Sequence, residues 1–405
     1  MSSEKITQSP GFSTGRNIRR IVFLLSDPFT WRDYDRFGIK LLEENGFEVA
    51  LWDIRSAMNP SLKSRYSPPD GAGECKNLEE IRDKKEAFAK IRAITAETFV
   101  LPLMGYCPQT RQVYKAVSKS TASYGVFMAN ALPPTLSATK GLVYYIKKTV
   151  KNPRIAFTFF YNRIPLSWSG IKPTRLILAG GERSPVYPCR RDGKTEILWA
   201  HSLDYDICLK NKNLPLQEKN TAVFLDEYYP FHPDYIYLGL KPPVTAEQYY
   251  PPLNRFFDRV EKELGLEIVI AEHPRSAYEK HPEYFSGRKR IKGNTANLVR
   301  ECKLVLAHSS TALNYPNIYQ KPVIFLTSRS IDASWLGSAI KAMACWFGKK
   351  PVFVDELETL DLKKECQTDL EAYKRYRQAY IKTDNSEDLL FWQIVANRLK
   401  SSDFP

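Results

Sequence analysis

Residues 266–328 read LEIVIAEHPRSAYEKHPEYFSGRKRIKGNTANLVRECKLVLAHSSTALNYPNIYQKPVIFLTS, and this stretch decides the fold. Glu267 to Ala271 is a run of β-formers that ends at His273-Pro274, and a basic loop follows. Lys303 to Ala307 is a second run, ending at His308-Ser309-Ser310-Thr311 where a helical pattern begins; Val323 to Leu326 is a third. Short strands alternating with helices imply a parallel sheet, and in open sheets of that kind ligands sit beyond the carboxyl ends of the strands. Both polar clusters lie there. The stretch reads as the phosphate-binding half of an α/β protein.

At 405 residues the chain is too long for one core, and two domains of roughly 150–200 residues are expected. No apolar run approaches the ~20 residues of a membrane span, and the opening MSSEKITQSPGFSTGRN is polar, which predicts a cytoplasmic protein. The cysteines at 75, 107, 189, 208, 302, 345 and 366 show no CxxC spacing and read as reduced, mostly buried thiols. The net charge of +14 suits nucleic acid, an anionic membrane or a phosphorylated substrate. Basic residues cluster at Arg16 to Arg20, Lys147 to Arg154 and Arg288 to Lys292 without a long unbroken tract. Peripheral attraction to an anionic membrane fits this pattern, as does a merely solvated surface.

Outward from the central stretch, residues 1–17 read as a flexible arm. Ile21 to Leu25 is a strand apolar enough to be buried on both faces. A helix is expected over Tyr34 to Glu44, and Val49 to Ile54 is the next strand. No GxGxxG follows the first strand, so the opening βαβ unit is not an ordinary dinucleotide site. Ser56 to Lys76 reads as a loop. Helical patterns cover Leu78 to Ile94, Thr110 to Lys119 and Thr139 to Lys151; strands cover Thr98 to Met104, Tyr124 to Ala129, Thr174 to Ala179 and Ile197 to Ala200. The polar stretch at Lys210 to Asn220 divides the chain into a Rossmann-like domain at 18–215 and a second at 216–385. In the second half, helices are expected over Thr245 to Leu264, Ser334 to Phe347 and Leu370 to Tyr380. The amphipathic helix from Glu387 to Lys400, within 386–405, is placed to cross back and brace the first domain.

Several clusters carry possible chemistry. Ser309, Ser310 and Thr311 offer hydroxyls and N–H groups at a helix start, which serve an anion site or simple capping. His273-Pro274 at a neighbouring strand end can donate to a phosphate oxygen, with Arg275 beside it. Asp226 and Glu227 end the first strand of the second half; a carboxylate there would be a base or nucleophile, or a charged hinge residue. Gly180-Gly181 permit a close backbone approach or a tight turn. His201, Asp204 and Asp206 suggest acceptor contacts or cleft lining, with a DxD metal site as the less favoured reading.

The arrangement of strand–His-Pro, then about thirty residues, then strand–His-Ser-Ser-Thr resembles the GT-B glycosyltransferases, in particular bacterial enzymes that move Kdo or sialic acid from CMP-activated donors. Those enzymes carry an HP motif and a Ser/Ser/Thr motif in their nucleotide-binding domain. His273-Pro274 match the first, and Ser309, Ser310 and Thr311 the second, with His308 adjoining. The resemblance implies two Rossmann-like domains facing a cleft and a CMP-sugar donor bound by the second domain. It further implies no cofactor, no required metal, and a lipid-linked or lipopolysaccharide glycan acceptor at the inner face of the bacterial inner membrane. In retaining β-Kdo transferases the acidic stretch supplies an Asp nucleophile, and Asp226 corresponds, with Glu227 second. The competing readings are a GT-B-fold sugar-nucleotide epimerase, a catalytically inactive scaffold and a basic nucleic-acid-binding protein. The last lacks any helix-turn-helix, RRM or zinc motif, so no nucleic-acid partner is expected.

Overall fold

The first strand sets the pattern. β1 (Arg20–Leu25) buries five of its six residues, as its apolar run requires, between two parallel neighbours, β2 (Glu48–Asp53) and β4 (Thr98–Leu103). With β3 (Leu78–Glu80), β5 (Ser123–Phe127), β6 (Leu176–Ala179) and β7 (Glu196–Trp199) they form a seven-stranded parallel sheet in the order β3-β2-β1-β4-β5-β6-β7. A second parallel sheet holds β8 (Thr221–Leu225), β9 (Glu267–Glu272), β10 (Lys289–Lys292), β11 (Leu304–Ala307), β12 (Val323–Thr327) and β13 (Val352–Phe353), ordered β10-β9-β8-β11-β12-β13. This computed structural model describes residues 17–59, 75–134, 165–233, 235, 241–358 and 360–404. The arm at 1–16, most of the 56–76 loop, the expected helix at 139–151 and the basic cluster at 147–154 lie outside them.

Both sheets reverse strand order once, at β1/β4 and at β8/β11, and each reversal opens a crevice at the carboxyl ends of the strands. Each sheet is covered on both faces by apolar clusters. Helix Phe391–Lys400 packs on the first sheet, where Phe391, Trp392, Val395 and Leu399 join its core. Among the described residues no helix is long and apolar enough to cross a membrane.

Four expected elements come out differently. The helix over Leu78 to Ile94 begins as strand β3, paired with β2, and only Lys84–Arg92 is helical. The helix over Tyr34 to Glu44 is two short ones, Trp31–Arg36 and Ile39–Glu44, broken at Gly38. Gly38 takes φ +58°, and a Cβ there would lie 2.5 Å from Trp392. The C-terminal helix thus occupies the space a continuous helix would need. The basic loop contains a strand, β10, paired with β9. Arg288, expected as solvated surface, is half-buried and forks to Asp258 and Glu261. Finally, the pattern after Thr311 makes a single 3-10 turn, Thr311–Leu313, and the five-residue helix Asn314–Ile318. Gln320, with φ +54°, then turns the chain back toward β12.

No disulfide joins the seven cysteines; Cys75, Cys208 and Cys302 are buried, Cys107, Cys189 and Cys366 half-buried, and Cys345 exposed. Burial is therefore less general than the sequence suggested.

Candidate active site

The crevice of the second sheet gathers most of the residues marked in the sequence. β8 ends at Asp226-Glu227, β9 at His273, and β11 at His308-Ser309. Parallel register between β8 and both neighbours brings these three ends level.

Asp226 is buried, and three donors engage its carboxylate. Oδ1 accepts the Tyr228 N–H (3.0 Å); Oδ2 accepts the Tyr278 hydroxyl (3.0 Å) and the His273 N–H (3.3 Å). Burial raises its pKa to about 6 against the pull of these hydrogen bonds. Glu227 is half-buried, and its Oε1 accepts the Ser309 N–H at 2.7 Å. Burial pushes its pKa up to about 7, with the Asp226 charge adding to the effect. Two neighbouring carboxyls are therefore poised within reach of neutral pH, and Glu227 is the one the cleft reaches.

His273 Nδ1 accepts the N–H of Arg275 at 3.2 Å, which leaves the proton on Nε2. That nitrogen lies 3.3 Å from Nε2 of His232. Burial lowers the His273 pKa to about 3, and the nearby His232, Arg275, Arg32 and Lys292 push it the same way. The ring is neutral, its Nε2–H faces His232, and by turning from that partner it can donate to an anion.

His308 has a different task. Its Nδ1 donates to the Leu326 carbonyl at 2.7 Å and its Nε2 accepts the Tyr249 hydroxyl at 3.0 Å. The ring stacks on Tyr229, and burial lowers its pKa to about 4. Both nitrogens are committed, so His308 props the crevice and does not face a ligand. Ser309 has given its N–H to Glu227, and Ser310 caps the following turn by accepting the Ala312 N–H at 3.2 Å. The free helix N-terminus expected at Ser309, Ser310 and Thr311 is thus largely spent within the protein, and Thr311 is the most exposed hydroxyl of the three. Pro274 is exposed and Arg275 half-buried at the same rim.

The remaining candidates lie where the two halves join. Ala379 and Tyr380 run against Gly180-Gly181 so closely that a Cβ on Gly181 would sit 2.3 Å from their backbone atoms. The glycine pair admits the returning chain, and no ligand enters that space. His201 is fully buried, with Nε2 2.8 Å from the Leu389 carbonyl and Nδ1 3.0 Å from that of Ser202. Asp204 accepts Asn314 Nδ2 (2.9 Å) and the Tyr315 hydroxyl (3.2 Å), and Arg36 of the first domain approaches it at 3.6 Å. Asp206 instead accepts the Phe391 N–H at 2.8 Å. The two carboxylates of the DxD therefore serve different helices and do not converge. A cavity of about 260 Å³ opens at the edge of the first sheet, beside Ser120, Ser123 and Lys172. Its lysine is spent on the carbonyls of Ser120 and Ala122.

Sequence reading missed Tyr278, whose hydroxyl holds Asp226; lying on a 3-10 turn, it carried no signal in the sequence.

Two all-parallel Rossmann-like sheets, each with its crevice at a strand-order reversal, and a C-terminal helix returned to the first sheet define a GT-B fold. One comparison agrees at that level. A variant of the wall teichoic acid polymerase TagF soaked with CDPG is similar at TM-score 0.50 and 11% identity, over 95% of this chain and 89% of that one. The S. aureus MnaA–UDP structure gives TM-score 0.48 and 12% identity over 96% and 99%. No family model matches the chain, and no curated protein matches it.

Proposed function

We propose that the protein is a glycosyltransferase that moves a sugar, Kdo or a related 2-keto acid sugar, from a CMP-activated donor to a bacterial surface-glycan acceptor. The observation that carries this reading is the meeting of two strand ends at one crevice, Glu227 after β8 and the neutral His273 after the adjoining β9. A donor whose leaving group is a phosphate develops negative charge there as the glycosidic bond breaks. The His273 Nε2–H, turned from His232, and the charge of Arg275 stabilise that charge. The HP and Ser/Ser/Thr resemblance supports CMP as the nucleotide.

Glu227 takes the proton of the acceptor hydroxyl as that oxygen attacks the anomeric carbon. Asp226, which the resemblance casts as nucleophile, has both oxygens bound by three donors, and in this proposal it fixes Tyr278 and the His273 backbone. A single displacement with Glu227 as base inverts the anomeric centre; a covalent adduct on Asp226 retains it. NMR of the product anomer separates the two. A retained anomer together with a trapped Asp226 adduct would return the nucleophile role to Asp226.

The same carboxyl and histidine would serve proton transfer in a sugar-nucleotide epimerase, the second reading. Donor consumption that needs no glycan acceptor would favour it.

A further inference from the structure

The turn that follows β8 grips one residue at the end of β11 by two of its atoms. Glu227 Oε1 accepts the Ser309 N–H at 2.7 Å, and the Tyr229 hydroxyl lies 3.1 Å from Ser309 Oγ. Two side chains only two residues apart thus close on the same serine. Tyr228, between them, takes φ +53°, a left-handed conformation that a bulky side chain rarely adopts. Its N–H to Asp226 Oδ1 holds it there, as do its ring contacts with Tyr278 at 5.1 Å and Phe231 at 5.5 Å. Backbone strain of this kind persists only where the surroundings enforce it, and it gathers at functional sites.

Tyr229 is fixed from behind. It is 3 % exposed, and its ring stacks on His308 at 4.9 Å. His308 is locked in turn by the Leu326 carbonyl and the Tyr249 hydroxyl. Buried in this way, Tyr229 is out of a substrate's reach, and its hydroxyl is aimed at the half-buried Ser309. The titratable groups packed around Glu227 are Asp226 on its own turn, Tyr229 and, behind Tyr229, His308 and Tyr249. The Asp226 charge raises the Glu227 pKa, whereas hydrogen bonds from Ser309 and Tyr229 draw it down.

We infer that Tyr229 is a positioning residue for Glu227: its hydroxyl fixes Ser309, and the Ser309 N–H fixes the carboxyl at the crevice. The inference deepens the proposed function and rests on it for the role of Glu227 as base. Without that hydroxyl Ser309 loses an anchor, and the Glu227 oxygen loses its aim at the acceptor. Fewer donors then face the carboxylate, so it ionises at higher pH.

Carboxyl NMR of the full chain, isotopically labelled in its glutamates, tests this, with Glu227 assigned by its loss in Glu227→Gln. The other variants are Tyr229→Phe, Ser309→Ala and, as a structural control, Tyr373→Phe, whose hydroxyl donates to the Lys321 carbonyl at 2.7 Å. Glu227 should titrate near 7 in the unaltered protein and in Tyr373→Phe. In Tyr229→Phe and Ser309→Ala the titration should move up by about half a pH unit or more. With CMP-Kdo and a lipid-linked glycan acceptor, Tyr229→Phe should lower kcat about tenfold and leave the donor KM within about twofold. A Glu227 titration unmoved in Tyr229→Phe overturns the inference. So does a moved titration with kcat unchanged, or an equal move in Tyr373→Phe. If the titration moves as expected while even the unaltered protein consumes no CMP-Kdo, Tyr229 still positions Glu227 and the CMP-Kdo reading falls.

Discussion

Replacing Glu227 by Gln separates the stability of this site from its chemistry. The amide keeps an oxygen for the Ser309 N–H, so the hydrogen bond at 2.7 Å survives while the charge is lost. In the folded chain Glu227 titrates near 7 against an ordinary 4.5. The folded state therefore holds its proton to higher pH than the unfolded state does. The group costs nothing below about pH 4.5, and its penalty grows as pH rises and is complete above about 7. At ~1.36 kcal/mol per pH unit the shift corresponds to roughly 3 kcal/mol, and partial solvent access reduces this to about 1–2 kcal/mol. Urea unfolding should thus show Glu227→Gln and the unaltered protein alike at pH 4.5, with the variant more stable by about 1–2 kcal/mol at pH 8. Donor turnover should fall by roughly 10²–10⁴. A variant less stable at pH 8 than the unaltered protein would refute the reasoning. The carboxylate would then be a favourable partner of its neighbours and not a strained acid.

Other consequences are equally direct. kcat/KM should rise with pH through a step near 7 as Glu227 ionises, above the titration of Asp226 near 6, and neither His273 nor His308 adds a step between pH 5 and 8, because both stay neutral there. A step that persists in Glu227→Gln would assign it to another group. Trp392→Ala should cost about 3–5 kcal/mol, since the ring is buried against Phe23, Phe37 and Gly38; chemical unfolding measures this. Gly181→Ala should lower stability by about 2 kcal/mol or more, because its methyl group would meet the backbone of Ala379 and Tyr380; an unchanged melting temperature would mean that the crossing is loose.

The sheets were legible because a parallel strand buried on both faces leaves a continuous apolar run, as in Ile21 to Leu25 and Ile268 to Ala271. Asp226, Glu227 and His273 could be picked out because they stop such runs, and strand ends are where crevices open. What failed was local and decided by distant partners. The break at Gly38 depends on Trp392, more than three hundred residues away, and β10 is too basic to look like a strand until β9 pairs with it. The roles of His308 and Ser309 were hidden for the same reason. Their hydrogen bonds to Leu326, Tyr249 and Glu227 are tertiary contacts that no spacing announces.

The central claim meets its most direct test in one assay: CMP release from CMP-Kdo, measured with and without a lipid-linked glycan acceptor. The account predicts release that depends on the acceptor and disappears in Glu227→Gln. An intact donor in the presence of acceptor, or a donor sugar rearranged without one, would contradict it.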